Sequence, residues 1–76
     1  RRNRAKLQYE RLTPREQEVM SLMLQGKMNK EISSAMDVSI RTIEVHRSKV
    51  LQKMNVQSLH ELVRVSDLFD RSLLRK

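Results

Sequence analysis

One glycine and one proline, Gly26 and Pro14, serve all 76 residues, so the chain has almost no material for the hairpin turns that a sheet needs. Its apolar residues recur three and four positions apart rather than in alternation, the spacing of helices with one buried stripe. The chain therefore reads as all-α: a compact four-helix domain joined by tight connections. A chain this short has room for one small core, and it buries only about 60% of the surface its unfolded form exposes. That suits a recognition module better than an enclosed catalytic pocket.

Thr13-Pro14-Arg15-Glu16 announces the first predicted helix. Threonine is placed as the N-cap, proline stands where its missing N–H costs nothing, and glutamate three residues on completes a capping box. Val19, Met20, Leu22 and Met23 form the expected buried stripe, and Gly26 supplies the left-handed conformation that ends the helix. A second, short helix is predicted from about Lys30 to Met36, with Asn29 as its cap and Ile32, Ala35 and Met36 facing inward. Asp37-Val38-Ser39 is too short for anything but a tight turn, and Ser39 can cap a third helix from Ile40 to about Met54. Short helix, short turn and longer helix form a helix-turn-helix. Ser58-Leu59-His60-Glu61 is a second capping box and opens a fourth helix. On it Leu62, Val63 and Phe69 suit the core, while Val65 and Leu68 lie off that stripe and are candidates for contact with another module. Residues 1–11, basic and poor in apolar positions, read as a solvated arm or interdomain linker. The domain proper is expected at 12–70, with 71–76 as a C-terminal tail.

Charge narrows the partner. Sixteen Lys and Arg against nine Asp and Glu give a formal net charge of +7, which makes a polyanion the natural ligand. Nucleic acid leads and an anionic membrane surface comes second, but the capped helices turn their apolar faces inward, unlike an interfacial segment. No apolar run approaches the roughly 18 residues of a membrane span, and no signal-peptide pattern opens the chain. A chain that begins on Arg1 rather than Met is expected to be a piece of something longer. The lack of cysteine removes disulfides, thiolate zinc sites and cysteine nucleophiles together. His46 and His60 fall on different predicted helices with no second pair beside them, so no metal or other cofactor is expected. The acids are scattered over caps and outer faces, so an enzyme is not expected either.

Stepping about 100° per residue from Ile43 puts Val50 and Met54 on the inner side of the third helix, flanked by His46, Leu51 and Ile40. The outer side holds Arg41, Val45, Ser48 and Gln52, with Glu44 and Lys49 on its shoulders. One valine among polar groups on a helix after a tight turn fits a reader of the major groove. Arg41 can pair with guanine or phosphate, Glu44 can accept from cytosine, Ser48 can serve any base edge, and Val45 can pack on a thymine methyl. Asn29, Lys30, Thr42, Lys49 and Lys53 surround that face and can hold phosphates. Arg47 lies toward the apolar side and is expected to bury its stem and send its guanidinium to phosphate or solvent. His46 is expected to be a packed or capping imidazole. The alternative is a solvated outer face on a DNA-free helical module that binds proteins through its fourth helix.

Several ordered motifs resemble one family. Leu12-Thr13-Pro14-Arg15-Glu16-Gln17-Glu18-Val19, Gly26, Asn29-Lys30-Glu31-Ile32, Thr42-Ile43-Glu44-Val45-His46-Arg47, Ser58 and Glu61-Leu62-Val63-Arg64 closely resemble the LuxR/FixJ (NarL-type) DNA-binding domain of bacterial regulators, from Leu12 to about Phe69. Ile43 stands where the family usually has valine. The resemblance implies a third helix in the major groove and a fourth helix that pairs modules into a homodimer on double-stranded DNA. It implies base-reading positions at Glu44, Val45 and Ser48, and positions near phosphates at Asn29, Lys30, Thr42 and Lys49. Several relatives carry a basic residue in place of Glu44 or Ser48, which bears on the target sequence and not on the mode of binding. The resemblance is strongest to response regulators of two-component systems, and so implies an N-terminal receiver domain in the full-length protein, RNA polymerase as a further partner, and the bacterial cytoplasm, at the nucleoid, as the place of work.

Overall fold

The computed structural model describes residues 4–73, with side chains as far as Asp67. Five helices follow one another: α1 Arg4–Glu10, α2 Pro14–Leu24, α3 Asn29–Met36, α4 Ile40–Lys53 and α5 Leu59–Leu73. The four predicted helices are α2 to α5. α5 runs on through residues 71–73, the first half of the segment expected as a tail; residues 74–76 and the side chains of Leu68 and Phe69 lie outside the described residues.

The segment expected as a solvated arm holds the additional helix. Seven residues are too few for a helix to persist in water on its own, and α1 is ordered by packing against α5. Ala5 is buried, and Tyr9, one turn later, lies against the core. The Tyr9 carbonyl accepts from the Leu12 N–H at 3.0 Å and from Gln17 Nε2 on α2 at 3.2 Å. These bonds tie the entry of α2 to the end of α1.

Side-chain oxygens start most of the helices. On α2 the box is reciprocal: the Glu16 N–H donates to Thr13 Oγ1 at 3.1 Å, and the Thr13 N–H donates to Glu16 Oε1 at 3.0 Å. Ser39 caps α4 through the Thr42 N–H at 3.0 Å. Ser58 caps α5 through the Glu61 N–H at 3.2 Å, but the Glu61 carboxylate reaches past Ser58 to the Gln57 N–H at 2.6 Å. At α3 the expected cap is displaced. Asn29 is inside the helix, and the N-cap is Met28 in extended conformation, a side chain with no oxygen to offer. Glu31 supplies only the return half of a box, accepting the Met28 N–H at 2.7 Å.

Three helices end by one device. Gly26, Asp37 and Asn55 have positive φ of 85°, 57° and 59°. At each, the following residue's N–H reaches back across the last turn: Lys27 to the Leu22 carbonyl, Val38 to Ser33 and Val56 to Leu51. This Schellman closure satisfies carbonyls that the helix end leaves open. Glycine takes the left-handed conformation freely, whereas Asp and Asn tolerate it through their short polar side chains. One glycine therefore suffices for a chain with three such reversals.

α4 packs against α2 and α3, α2 also touches α3 and α5, and α1 lies on α5. The shared core is built from Val19, Met20 and Met23 of α2, Ile32 of α3, Ile43 and Val50 of α4, Met54 and Leu62. Four of the five methionines are buried, as fits an unbranched side chain filling irregular gaps between short helices. Four expected positions differ. Leu22 is half-buried, and Ala35 is exposed because the short α3 buries only Ile32 and Met36, one turn apart. On α5 the expected burial is altered: Val65 is half-buried and packs on the core, one turn from Leu62, while Val63 is 40% exposed.

Supplying the missing oxygen at Met28 should stabilise the fold: Met28→Ser should raise unfolding stability by about 1 kcal/mol, and Thr13→Ala should lower it by about the same amount. Denaturation midpoints at constant slope check both.

Candidate nucleic-acid interface

The helix-turn-helix holds α4 by one side and leaves the other open. Ile43 and Val50 are fully buried two turns apart, and α2 and α3 cover that stripe. The turn between α3 and α4 is pinned by Ser33 Oγ, which donates to the Val38 carbonyl. The entry of α4 is further fixed by a 2.9 Å contact between the Ser39 and Thr42 hydroxyls.

Opposite the buried stripe, Arg41, Glu44, Val45, Ser48, Lys49 and Gln52 line one shallow depression. The structure thus brings together all four predicted base-reading residues, Arg41, Glu44, Val45 and Ser48, with Lys49 beside them. Val45 is 40% exposed, an apolar side chain held in water by a rigid helix. Arg41 Nη1 lies 3.4 Å from Glu44 Oε1, with both side chains well exposed. An exposed pair of this kind contributes little to stability, so both groups are available to a partner at small cost.

The predicted phosphate-holding residues divide. Lys30 and Lys49 are exposed, and Arg47 is half-buried, as expected of a stem laid along the apolar side. Thr42 is half-buried, with its hydroxyl engaged by Ser39. Asn29 is half-buried, and its Oδ1 is buried without a hydrogen-bond partner. Lys53 stands apart from the group, because its Nζ is 2.8 Å from Glu16 Oε1 on α2. His46, expected as a packed imidazole, is half-buried with its Nδ1 buried and unpartnered.

Glu16 is the charged residue that sequence spacing alone undervalues. Its side chain is 4% exposed, and one oxygen accepts from both the Thr13 N–H and Lys53. Burial pushes its carboxyl upward, but the Lys53 hydrogen bond, the Thr13 N–H and the charges of Lys53 and His46 together outweigh burial and hold it below its ordinary value. The cap predicts the first contact. Lys53, 37 positions away, leaves no signal at helical spacing.

Residues 10–66 match the model of the bacterial regulatory proteins of the luxR family, a match that takes in all of α2, α3 and α4 and the first half of α5. The chain belongs to the luxR family. Membership makes this a DNA-binding domain of transcription regulation and not an enzyme. The chain is 52% identical over 56 residues to the tetrathionate response regulatory protein TtrR of Salmonella typhimurium, a match covering 74% of this chain and 27% of that protein. Among solved structures, it superposes on the response regulator StyR with a TM-score of 0.80 at 38% identity, covering 83% of this chain and 32% of the other. Full-length FixJ from B. japonicum gives 0.76 at 44% identity, covering 80% and 30%. The chain thus spans about a quarter to a third of the length of the relatives it matches. Among the described residues no helix is long and apolar enough to cross a membrane.

In this luxR-family domain the Glu16 to Lys53 bond joins the start of α2 to the end of α4, so acid should loosen the seat of the outer face. A carboxyl held low in the folded state stabilises above its unfolded value of about 4.3 and loses that contribution as pH falls through the folded value. Glu16→Gln should therefore cost about 2 kcal/mol at neutral pH and flatten the decline of stability below about pH 4.3. Unfolding midpoints measured from neutral to acid pH for parent and variant check this.

Proposed function

We propose that this domain is the sequence-specific, double-stranded DNA-binding output domain of a bacterial two-component response regulator. In this reading α4 enters the major groove, Glu44, Val45, Ser48 and Arg41 meet base edges, and Asn29, Lys30, Thr42, Arg47 and Lys49 hold phosphates. Lys53 serves the interface through Glu16, by fixing α4 on α2. The observation that carries the proposal is the outer face of α4: five side chains of mixed hydrogen-bonding character around one exposed valine, on a helix whose other side is locked into the core. The net charge of +7 supports it, since attraction to phosphate dominates duplex affinity.

The rest of the assignment follows the relatives. TtrR and StyR are by name response regulators, and this chain matches only a minor part of each. That supports an N-terminal receiver domain in the full-length protein, residues 1–11 as the end of the segment joining the two, RNA polymerase as a further partner, and the bacterial cytoplasm, at the nucleoid, as location. Pairing on DNA is assigned to α5, the helix for which Val65 and Leu68 are the expected contacts. Val63 joins this surface as the exposed valine of α5, together with whatever side of Val65 the core leaves open.

Selection of preferred sites from a random duplex pool tests the readers. Val45→Ala and Glu44→Ala should alter the choice at one or two base pairs by about 1–3 kcal/mol. Lys30→Ala and Lys49→Ala should instead weaken all duplexes alike and lower the log–log salt slope by about 1 each, from a parent slope around −4 to −5 for about four to six phosphate contacts. An unchanged consensus in both reader variants would mean that another side of α4 faces the bases, and a parent that ignores duplex DNA would leave the DNA-free interaction module.

Pairing has its own test. On a duplex with two half-sites about 10 bp apart, Val63→Glu should abolish cooperative occupancy while single-site binding and unfolding stability stay near the parent's. Val65→Glu should lower stability as well, because that side chain packs on the core. Cooperative binding that survives Val63→Glu would remove Val63 from the contact.

A further inference from the structure

Side-chain length shapes the depression on the outer side of α4. Arg41, Val45, Ser48 and Gln52 all line it, and steps of four, three and four residues keep them within about 60° of one another around the helix. The short side chains, Val45 and Ser48, stand in the middle of this stripe, and the long ones, Arg41 and Gln52, stand at its ends. The stripe is therefore concave along the helix axis. At one end Arg41 is steadied by Glu44, 3.4 Å away. At the other end Lys53 is turned to Glu16 on α2, which leaves Gln52 as the hydrogen-bonding side chain that closes the depression.

The fold makes no use of Gln52. Its side chain is exposed and lies opposite the buried Ile43 and Val50, so it supports no packing. Gln17 and Gln25 engage their amides within the domain, with the Tyr9 carbonyl and the Ser21 hydroxyl; among the described residues the Gln52 amide has no such partner. A concave row of this kind fits a convex object. A straight helix lying in the major groove comes nearest the bases at its middle, while the groove floor turns away beneath both ends, so short side chains reach bases at the centre and only long ones reach them at the ends. From Arg41 to Gln52 the stripe runs about 16 Å at 1.5 Å per residue, the length of about five base pairs.

We propose that Gln52 is a further base-reading residue and that it recognises adenine at the C-terminal end of this face, on the far side of Val45 from the base that Arg41 meets. The chemistry selects the base. A carboxamide offers one donor and one acceptor side by side, which match the adenine N7 acceptor and N6 amino donor, whereas guanine presents two acceptors there. Gln52 is thereby a specificity-determining residue that widens the half-site at one edge. The inference rests on the DNA-binding reading and deepens it.

Selection from a random duplex pool, followed by titration of the selected duplex and of its single-position variants, is carried out with this chain and with Gln52→Ala, Gln52→Glu and Val45→Ala. Gln52→Ala should lose the preference for adenine at one position, about three base pairs from the position altered by Val45→Ala. Its affinity for the parent's selected duplex should fall about five- to a hundredfold, with preferences elsewhere, the salt slope and the unfolding midpoint unchanged. Gln52→Glu should exchange adenine for cytosine at that same position, because a carboxylate accepts from the cytosine N4 amino group. If both Gln52 variants recover the parent's consensus at the parent's affinity, Gln52 meets no base and the proposal falls. If Gln52→Ala weakens all duplexes alike, Gln52 touches the backbone, and the proposal falls as well. In either case a consensus altered by Val45→Ala leaves the DNA-binding reading standing. A parent that selects no consensus overturns that reading itself, a result distinct from failure at Gln52 alone.

Discussion

The fold turns on keeping α4 fixed by one side only, and the Glu16 carboxylate is where this constraint is most concentrated. A single oxygen closes the start of α2 and grips Lys53 at the end of α4. A buried carboxylate is unfavourable unless its oxygens are paired, so the contact is specific in a way that the surrounding Val19, Met20, Met23, Ile43 and Val50 are not. Apolar packing brings α2 and α4 together, and methionine-rich packing tolerates small slips. A charge that must meet its partner at hydrogen-bond distance does not, and together with the buried Ile43 and Val50 it sets the rotation of α4 about its own axis. The position of Val45 in the outer depression depends on that rotation.

The connections serve the same end. Three helices stop through left-handed residues whose neighbours bond back across the last turn, which leaves little freedom in the short links. The link between α3 and α4 also carries the Ser33 bond to the Val38 carbonyl and the Ser39 cap. Two helices joined this tightly move as one body. Contacts made by Lys30 on α3 therefore constrain where α4 stands, and phosphate-holding on one helix can set the register for base-reading on the other.

Electrostatics sort the cations into two groups. Arg41 and Lys53 have acidic partners within the domain, so each contributes less to a long-range field than its formal charge suggests. Lys27, Lys30 and Arg47 have none and lie together along one groove. These three add to the attraction that the net charge of +7 exerts on a polyanion. The exposed Met28 and Ile40 lie in the same place, at some expense to stability.

Much of this was legible in the residues. The four helices from α2 onward, the caps at Thr13, Ser39 and Ser58, and the outward set Arg41, Glu44, Val45 and Ser48 all follow from local rules: capping chemistry, left-handed terminators and a period of about 3.6 residues. Those rules act over one or two turns, which is the range that sequence spacing reports. The misses share the opposite character. Residues 4–10 become a helix only because α5 offers Ala5 and Tyr9 a surface, and a short segment has no such preference alone. Val63 and Val65 depart from the expected burial because a wheel gives angles around a helix but not which neighbours cover it. The bond from Lys53 to Glu16 appears only once α2 is folded beside α4. Sequence by itself determined which segments coil, where they stop and which side of α4 is polar, because each of these is decided by residues within a few positions of one another. Only the tertiary structure decided which charges are spent inside the molecule and which apolar groups stay in water, because these depend on partners that the chain brings together from far apart.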